Sequence, residues 1–335
     1  MKVKEIVDKL MKQGKGILAA DESDKTIGER FATLGIPSTP ETRAAFRELL
    51  LTTPGAEEYL SGVIFYDETL RQAMLDGTPF PDYCIGKNML PGIKVDQGLA
   101  DEQQFPGGKV TKGLEGLRGR LVEYKGLGAH FTKWRMVVPV GSGSAESLRE
   151  NASRMAAYAE DVLAEGMVPI IEPEVLRDGN HTAHDAEVTL TETLAVVIDA
   201  LGARDINLSH IIIKSAMAVS GAECAVQAPT TEVAERTVRA FTASIPETVG
   251  GVVFLSGGQS PEEATRNLNA IARMEPLPWP ITFSYSRALQ HEPMSVWRGD
   301  EARLADAQAE FLERLTLVAN ADAAAYSPGQ EETAL

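Results

Sequence analysis

The sequence has little cysteine, since Cys84 and Cys224 are the two in its 335 residues. They lie far apart and form no CxxC pattern, so neither a disulfide framework nor a cysteine-rich zinc site is expected. This cysteine usage is typical of proteins in a reducing compartment.

Long apolar runs are absent as well. Nowhere do about eighteen apolar residues follow one another, which is the length that a bilayer requires. The N-terminal MKVKEIVDKLMKQGKG is amphipathic and charged, unlike the apolar centre of a signal peptide. We therefore expect a cytoplasmic protein that does not bind membranes.

Basic residues are fewer than acidic ones: the chain has 32 lysine and arginine residues and 48 aspartate and glutamate residues, which gives a formal net charge of −16. A surface that binds nucleic acid needs a basic excess or a basic stripe, so we expect no nucleic-acid partner. An anionic ligand would need the lysines and arginines to be gathered in one place.

Short runs rich in β-branched residues are present instead, separated by segments with helical spacing. An eightfold alternation of strand and helix predicts parallel strands joined by crossovers, as in a closed barrel. We expect one (β/α)8 TIM barrel domain over 1–335 with an N-terminal helical extension and a short C-terminal tail; an open doubly wound sheet is the alternative. The runs begin at Gly16, Gly62, Leu90, His130, Val168, His210, Gly251 and Ile281.

Polar or charged residues end almost every one of these runs. The carboxyl ends of barrel strands meet on one face, where active sites lie, so these side chains are expected to converge on one pocket. Strand alternation also places Lys133 with Arg135, and Glu172 with Glu174, on one side of their strands. The residues at the run ends are Asp21, Asp67, Lys94, Lys133, Arg135, Glu172, Glu174, Lys214, Ser256 and Arg287.

In HIIIKSAMAV, Lys214 directly follows three isoleucines. A lysine amine is a nucleophile when it is deprotonated, and apolar neighbours together with nearby cations favour that form. Such an amine forms a Schiff base with a ketone, which allows the neighbouring carbon–carbon bond to break or form. Asp21 and Glu172 are candidates to move the protons.

At these residues the chain resembles the class I fructose-bisphosphate aldolase family. Members fold as (β/α) barrels, use no metal or other cofactor, and reversibly cleave fructose 1,6-bisphosphate to dihydroxyacetone phosphate and glyceraldehyde 3-phosphate. The resemblance implies the same fold, reaction and phosphorylated sugar substrates here, in a homo-oligomer for which a tetramer is the common state. The motifs that carry it lie in order over 14–320 and are GKGILAADES, GIKVDQG, KWR, IIEPEVL, IIIKSAM, FLSGGQS and FSYSRALQ.

The resemblance also implies a role for each site residue. Lys214 is implied to be the nucleophile, Glu172 to form and dehydrate the carbinolamine, Asp21 to take the proton of the carbon-4 hydroxyl, and Lys133 to balance the charge beside it. The implied contacts of the carbon-1 phosphate are Ser256, Gly257 and Arg287; those of the other phosphate are Lys94, Ser23 and Arg30, with Glu174 and Arg135 in the same shell.

The chain departs from the family pattern at several positions. Ser286 stands where many members have glycine, Thr26 where serine is frequent, and His130 where an acidic residue is common. Animal members end in a mobile tail with a terminal tyrosine, whereas this chain ends YSPGQEETAL. Tyr326 is therefore not expected to act in proton transfer, and the chain looks more like a bacterial member.

Two other functions remain as alternatives. One is a related barrel lyase or transferase that uses the same lysine on another ketose phosphate, although two phosphate clusters favour a bisphosphate. The other is a catalytically silent barrel that binds phosphate and acts as an interaction protein. The presence of Lys214, Glu172 and Asp21 together argues against the silent barrel.

Histidine and tryptophan residues are two further kinds of candidate ligand group. His181 and His184 have a spacing that can bind a metal on a helix, but the preceding DGN is a turn signal, so an exposed loop is expected. The three tryptophans, Trp134, Trp279 and Trp297, are expected to be packing residues because no basic surface accompanies them.

Overall fold

The computed structural model describes residues 1–101, 109–141 and 144–332. The strands are β1 (Gly16–Ala20), β2 (Leu60–Phe65), β3 (Leu90–Lys94), β4 (Leu99–Asp101), β5 (Lys109–Thr111), β6 (Phe131–Val138), β7 (Val168–Val175), β8 (Ile212–Ser215), β9 (Val252–Phe254) and β10 (Ile281–Tyr285). The order β1-β10-β9-β8-β7-β6-β3-β2 closes a barrel, and β4 pairs with β5 in a separate sheet.

Helices follow the barrel strands and cover them. They are α1 (Val3–Leu10), α2 (Asp24–Thr33), α3 (Pro40–Thr52), α4 (Ala56–Tyr59), α5 (Asp67–Arg71), α6 (Phe80–Gly86), α7 (Leu117–Gly126), α8 (Ala145–Ala164), α9 (Ala183–Gly202), α10 (Thr230–Ser244), α11 (Pro261–Ala272), α12 (Arg287–Trp297), α13 (Leu304–Asp322) and α14 (Gly329–Glu332). Within the described residues, no helix is long and apolar enough to cross a bilayer.

The closed parallel order confirms the predicted (β/α)8 barrel and excludes the open sheet. All barrel pairs are parallel; β4 and β5, which follow β3, pair antiparallel and were not foreseen. These two strands are only three residues long each, too short to produce a recognisable alternation of apolar and polar residues.

Side chains inside the barrel change from apolar to charged along the strands. Ile17, Ile170 and Ile212 belong to the buried inner cluster. Because every second residue of a strand lies on the same side, the polar residues two or four positions further on also face the inside of the barrel. The bottom of the barrel is filled by the ring of Phe131, and a Cβ on Gly92 would come within 2.3 Å of that ring. Glycine is therefore required at this close approach.

The predicted N-terminal helical extension is α1, and it packs against the barrel rather than projecting from it. Its buried residues Ile6, Val7 and Leu10 join the inner cluster. A Cβ on Gly250 would meet Val7, and one on Gly62 would meet Leu10. The helix thus closes the end of the barrel at which the strands begin.

The outer side of the sheet packs on the helices. Trp134, Trp279 and Trp297 are buried in this outer core, which confirms that they are packing residues. Trp134 stacks on Tyr158 with ring centroids 5.3 Å apart. Both cysteines are free, and Cys84 is buried.

Candidate active site

A cavity of about 920 Å³ opens at the carboxyl ends of the barrel strands. Every residue that the sequence analysis singled out for catalysis or substrate binding lines it: Lys214, Glu172, Asp21, Lys133, Lys94, Arg135, Glu174, Ser256, Gly257, Arg287, Ser23 and Arg30. Parallel pairing explains the convergence, because neighbouring strands carry their polar ends to the same level. Lys94 pairs with Lys133 across β3 and β6, and Arg135 with Glu172 across β6 and β7.

Lys214 lies at the floor of this cavity and is buried, with 3% of its surface exposed. Its Nζ lies 3.0 Å from Oε1 of Glu172 on the neighbouring strand. Ile212 faces inward below it, whereas Ile211 and Ile213 belong to the outer core. Ile212 is therefore the isoleucine of this run that shares the side of the strand with the amine, and the charged group in contact with Nζ is a carboxylate.

Lys133 joins two buried carboxylates. Its Nζ lies 2.7 Å from Oδ2 of Asp21 and 2.8 Å from Oε2 of Glu172. Glu172 is thus shared by Lys214 and Lys133, one on each carboxylate oxygen. The result is a continuous chain of alternating charges from Lys214 to Asp21.

The ionisation of this chain follows from its charges. Burial alone would raise the pKa of Asp21, but Lys133, Lys214 and Lys94 outweigh it and lower that pKa to about 2. Burial likewise opposes ionisation of Glu172, and Lys133 and Lys214 again lower its pKa. Burial would lower the pKa of Lys133, yet Asp21 and Glu172 raise it above its usual value. Both carboxyls are therefore anionic and Lys133 is a cation at neutral pH.

A second pair of cations lines the wall beside this chain. Nζ of Lys94 donates to Oδ1 of Asp96 at 2.6 Å and to its backbone carbonyl at 2.8 Å. Arg135 forms an ion pair with Glu174 through its Nε. Asp96 also accepts the backbone N–H of Arg135 at 3.3 Å, so this carboxylate connects the two strands.

The loop after β9 contains a glycine turn that lines the cavity. Gly257 and Gly258 both have positive φ, 54° and 81°, a conformation that glycine adopts without strain. The turn is closed by the N–H of Gln259, which donates to the carbonyl of Ser256 at 3.0 Å. Arg287 is exposed at the first position of α12 and lines the same cavity.

Glu22 connects the parts of the cavity rim that follow β1 and β10. Its carboxylate forms ion pairs with Arg30 and Arg47 and accepts a hydrogen bond from Ser286 at 2.7 Å. Nε2 of Gln290 donates to Ser286 at 3.3 Å. The serine that departs from the family pattern thus turns its hydroxyl to Glu22, and Arg30 is fixed by these partners.

The other departures lie in two different environments. Thr26 lines the cavity, and its N–H donates to the hydroxyl of Ser23, the N-cap of α2, at 3.3 Å. Nδ1 of His130 lies 2.8 Å from the carbonyl of Gly128, where β6 begins. His130 is not among the cavity-lining residues.

Tyr326 does not line the cavity either. Its ring is buried and its hydroxyl donates to Glu331 at 2.9 Å. Burial and then Glu331 raise the pKa of Tyr326 to about 12. Glu331 also forms an ion pair with Arg314 at 2.7 Å, so these contacts hold the end of the described chain against α13.

The histidine pair does not lie in a fully exposed loop as predicted. His181 precedes Thr182, the N-cap of α9, and is half-buried, whereas His184 lies in the first turn of α9 and is exposed. Capping-box contacts between Thr182 and Asp185 begin the helix here. No group of three or more His, Cys, Asp and Glu side chains that could hold a metal occurs within 1–101, 109–141 and 144–332.

Sequence reasoning missed Glu22 and Asp96. Asp96 lies two residues after Lys94, so strand alternation could have placed it on the same side. Glu22 directly follows Asp21, and two of its partners, Arg47 and Ser286, lie 25 and 264 residues away. No local pattern would have assigned it to the rim.

A closed barrel that carries a buried lysine in contact with a carboxylate, together with a glycine turn that lines the same cavity, defines an enzyme class. That class is the barrel enzymes that form a Schiff base with a phosphorylated ketone.

Comparisons with known proteins give the family. The family model described as "Fructose-bisphosphate aldolase class-I" matches residues 2–335. A "Probable fructose-bisphosphate aldolase class 1" of Xylella fastidiosa is 43% identical over 92% of this chain and 94% of its own. "Fructose-bisphosphate aldolase 5, cytosolic" of Arabidopsis thaliana is 44% identical over 94% of this chain and 89% of its own. The chain belongs to the class I fructose-bisphosphate aldolase family.

A solved structure agrees with this assignment. Fructose-bisphosphate aldolase from Plasmodium falciparum, in complex with TRAP and a small-molecule inhibitor, is 39% identical and has a TM-score of 0.96. The match covers 98% of this chain and 95% of that one.

Proposed function

We infer that this chain reversibly cleaves fructose 1,6-bisphosphate to dihydroxyacetone phosphate and glyceraldehyde 3-phosphate through a Schiff base on Lys214. The observation that carries the proposal is the 3.0 Å contact between the buried Lys214 and Glu172. This contact brings a primary amine and a proton acceptor together at the floor of a cavity rimmed by cations.

The first proposed step is imine formation. Lys214 transfers a proton to Glu172, its free amine attacks the carbon-2 carbonyl, and the carbinolamine that forms loses its hydroxyl as water after Glu172 returns a proton. The shared contact with Lys133 supports this role, because it keeps Glu172 ionised before the reaction.

The second proposed step is cleavage of the carbon–carbon bond. Asp21 accepts the proton of the carbon-4 hydroxyl, the bond between carbons 3 and 4 breaks, and its electron pair moves into the protonated imine to give an enamine. A pKa of about 2 keeps Asp21 in the basic form. Lys133, 2.7 Å away, balances the negative charge of the Asp21 carboxylate before it takes the proton.

Substrate binding is proposed to use two cationic ends of the cavity. The turn at Ser256 and Gly257, with Arg287, receives the carbon-1 phosphate, because free backbone N–H groups and a helix N-terminus favour anions. Lys94, Ser23 and Arg30 receive the second phosphate. Arg135 and Glu174 pair with each other between these ends and border the sugar chain.

Covalent trapping tests the proposal. Borohydride reduction in the presence of dihydroxyacetone phosphate should add one reduced ketone to the wild-type chain at Lys214. Lys214→Ala and Lys214→Arg should both lose the added mass, because neither side chain offers a neutral amine. Lys15→Ala is a control in which a lysine outside the cavity is removed. An adduct that maps to Lys94 or Lys133 in Lys214→Ala would refute the assignment.

Localisation and assembly are also proposed. The plant relatives named cytosolic support a cytosolic location for this chain, which imaging of a fluorescent fusion would test. We propose a homo-oligomer, with a tetramer as the expected state from the family resemblance. Light scattering coupled to size-exclusion chromatography would test it, and a single species at 36.1 kDa would contradict it.

A further inference from the structure

We propose that Arg177 is a positioning residue for the phosphate end of the ketone, acting through the turn at Ser256–Gln259. This inference rests on the proposed function of that turn. Arg177 follows β7 and does not line the cavity. Its guanidinium instead reaches two neighbouring loops and the start of a helix.

The guanidinium of Arg177 donates five hydrogen bonds, and three of them go to the loops after β8 and β9. Nε donates to the carbonyl of Ser220 in the loop after β8 at 3.3 Å. Nη1 donates to the carbonyl of Gly258 at 3.2 Å. Nη2 donates to Gln227 at 3.1 Å. Arg177 therefore joins the loop that follows Lys214 to the glycine turn that follows β9.

Glu263 anchors this arrangement. Its two carboxylate oxygens accept from Nη1 at 2.8 Å and from Nη2 at 3.0 Å, which is the bidentate geometry that fixes a guanidinium plane. Glu263 itself belongs to the capping box of α11 with Ser260. The arginine plane is thus set by a helix terminus, and it sets the carbonyl of Gly258 in turn.

The backbone that carries Arg177 is also well fixed. The N–H of Ala222 donates to the carbonyl of Arg177 at 2.8 Å, and the N–H of Glu223 donates to that of Gly179 at 2.9 Å. A Cβ on Gly221 would lie 2.3 Å from the carbonyl oxygen of Gly179. The loops after β7 and β8 therefore pack as one unit.

The glycine turn needs such an anchor. Two successive glycines with positive φ are the most flexible backbone that a chain can offer. Within the described residues, neither the N–H of Gly257 nor that of Gly258 donates a hydrogen bond. Arg177 holds the last peptide of the turn by its carbonyl. This contact limits the rotation of the neighbouring peptides, whose N–H groups belong to the cavity-lining residues Gly257 and Gly258. Aligned donors of this kind lose binding energy when they are free to rotate.

The turn has a second anchor, so removal of Arg177 should loosen it without unfolding it. The side chain of Gln259 is buried, and its Oε1 accepts from Asn267 at 2.7 Å. Its Nε2 donates to the carbonyl of Ser256 at 3.0 Å. We therefore expect Arg177→Met to fold.

The experiment compares two ketones that differ only in phosphate. Borohydride trapping is measured against the concentration of dihydroxyacetone phosphate and of dihydroxyacetone, for wild type and Arg177→Met. The concentration of the phosphorylated ketone for half-maximal trapping should rise about tenfold, because N–H donors that are no longer aligned with the phosphate contribute little of their hydrogen-bond energy. That for dihydroxyacetone should stay unchanged, because it carries nothing for the turn to bind.

The matched control is Arg236→Met. Arg236 is also half-buried and bonded to two carboxylates, Glu187 and Glu232, but its hydrogen-bond partners lie outside the turn at Ser256–Gln259. Arg236→Met should leave the half-maximal trapping concentrations of both ketones unchanged. Glu263→Gln should also raise the concentration of the phosphorylated ketone for half-maximal trapping, but by less. The double variant should not raise it further than Arg177→Met does, because both changes act on one contact.

The outcomes separate the two proposals. Suppose that wild type traps both ketones. If Arg177→Met then traps them as wild type does, or if its trapping of both is weakened equally, the positioning role is wrong and the Schiff-base proposal stands. If wild type traps neither ketone, the proposed function fails and this inference fails with it. If Arg177→Met folds poorly, Glu263→Gln provides the test. An unchanged ratio of the half-maximal trapping concentrations of the two ketones in that variant also overturns the inference.

Discussion

Lys133 contacts two carboxylates that are proposed to act in different steps. Its charge is the largest influence that opposes burial at Asp21, and Lys214 and Lys94 follow. A depressed pKa means that Asp21 remains a base as the pH falls, until the pH approaches about 2. The anionic form of Asp21, which the proposed cleavage step requires, thus depends on the charge of Lys133.

Replacing Lys133 by methionine should move the acid limb of the pH profile for cleavage to higher pH. Burial then raises the pKa of Asp21 with less opposition, so kcat/KM should begin to fall at a pH higher by at least about one unit. The pH profile of fructose 1,6-bisphosphate cleavage measures this. Lys125→Met, a change on the surface helix α7, is the control, and an acid limb that stays in place would show that Lys133 does not govern Asp21.

Arg287 is exposed and lines the cavity, so its charge is available to a phosphate. Arg287→Ala should raise the KM for fructose 1,6-bisphosphate about tenfold or more, since a charge-assisted contact with phosphate is lost. Arg149→Ala removes an exposed arginine of α8 outside the cavity and should leave KM unchanged. Steady-state cleavage rates measure both, and equal effects of the two changes would remove Arg287 from the phosphate site.

At the scale of elements, the alternation of strands carries most of what can be predicted from the sequence. An apolar run ending in a charge is a local pattern, and it places Lys94, Lys133 and Lys214 correctly at one face of the barrel. The same alternation shows that Ile211 and Ile213 face away from Lys214. The three-isoleucine run is explained by burial on both sides of a parallel strand.

Contacts between distant loops could not be predicted in this way. Ser286 meets Glu22, and Arg177 meets Gly258 and Glu263, although the partners are 264, 81 and 86 residues apart. No periodicity in a single sequence records which loops become neighbours. The residues that support the site are therefore found from the structure, whereas those at the strand ends are found from the sequence.

Helix α13 contains a buried carboxyl that the site does not use. Asp322 packs against β10, and burial raises its pKa to about 7 while a hydrogen bond with Thr282 only partly opposes this. A raised carboxyl pKa means that the folded state holds the proton more tightly than the unfolded state. Stability is then lost as the pH rises from about 4, and the loss is complete above about 7.

Asp322→Asn should therefore stabilise the protein at neutral pH. The gain in the free energy of unfolding should be small near pH 4, should grow to a few kcal/mol by pH 7 to 8, and should then level off. Denaturant unfolding at several pH values measures it. Asp306→Asn, at an exposed position in the same helix, should show no comparable pH-dependent gain, and a gain at position 322 that is constant with pH would argue against a buried proton.

For the molecule as a whole, we propose that the described chain behaves as one domain. The outer core runs without a break from Leu18 on β1 to Tyr326 beyond α13. Hydrogen bonding closes the barrel on itself, so no strand can leave without breaking pairs on both sides. The helix α1 seals the inner cluster at one end.

Three buried tryptophans allow this proposal to be tested, because they report from different parts of the barrel. Trp134 lies on β6, Trp279 precedes β10 and Trp297 ends α12. In variants that keep one tryptophan and carry phenylalanine at the other two positions, each fluorescence transition should coincide with the loss of helix in the same variant. Comparison within a variant removes the effect of the substitutions themselves on stability. A fluorescence change at Trp134 that is separated in temperature from the loss of helix, while that at Trp297 coincides with it, would mean that the two halves of the barrel unfold independently and that the single-domain proposal is wrong.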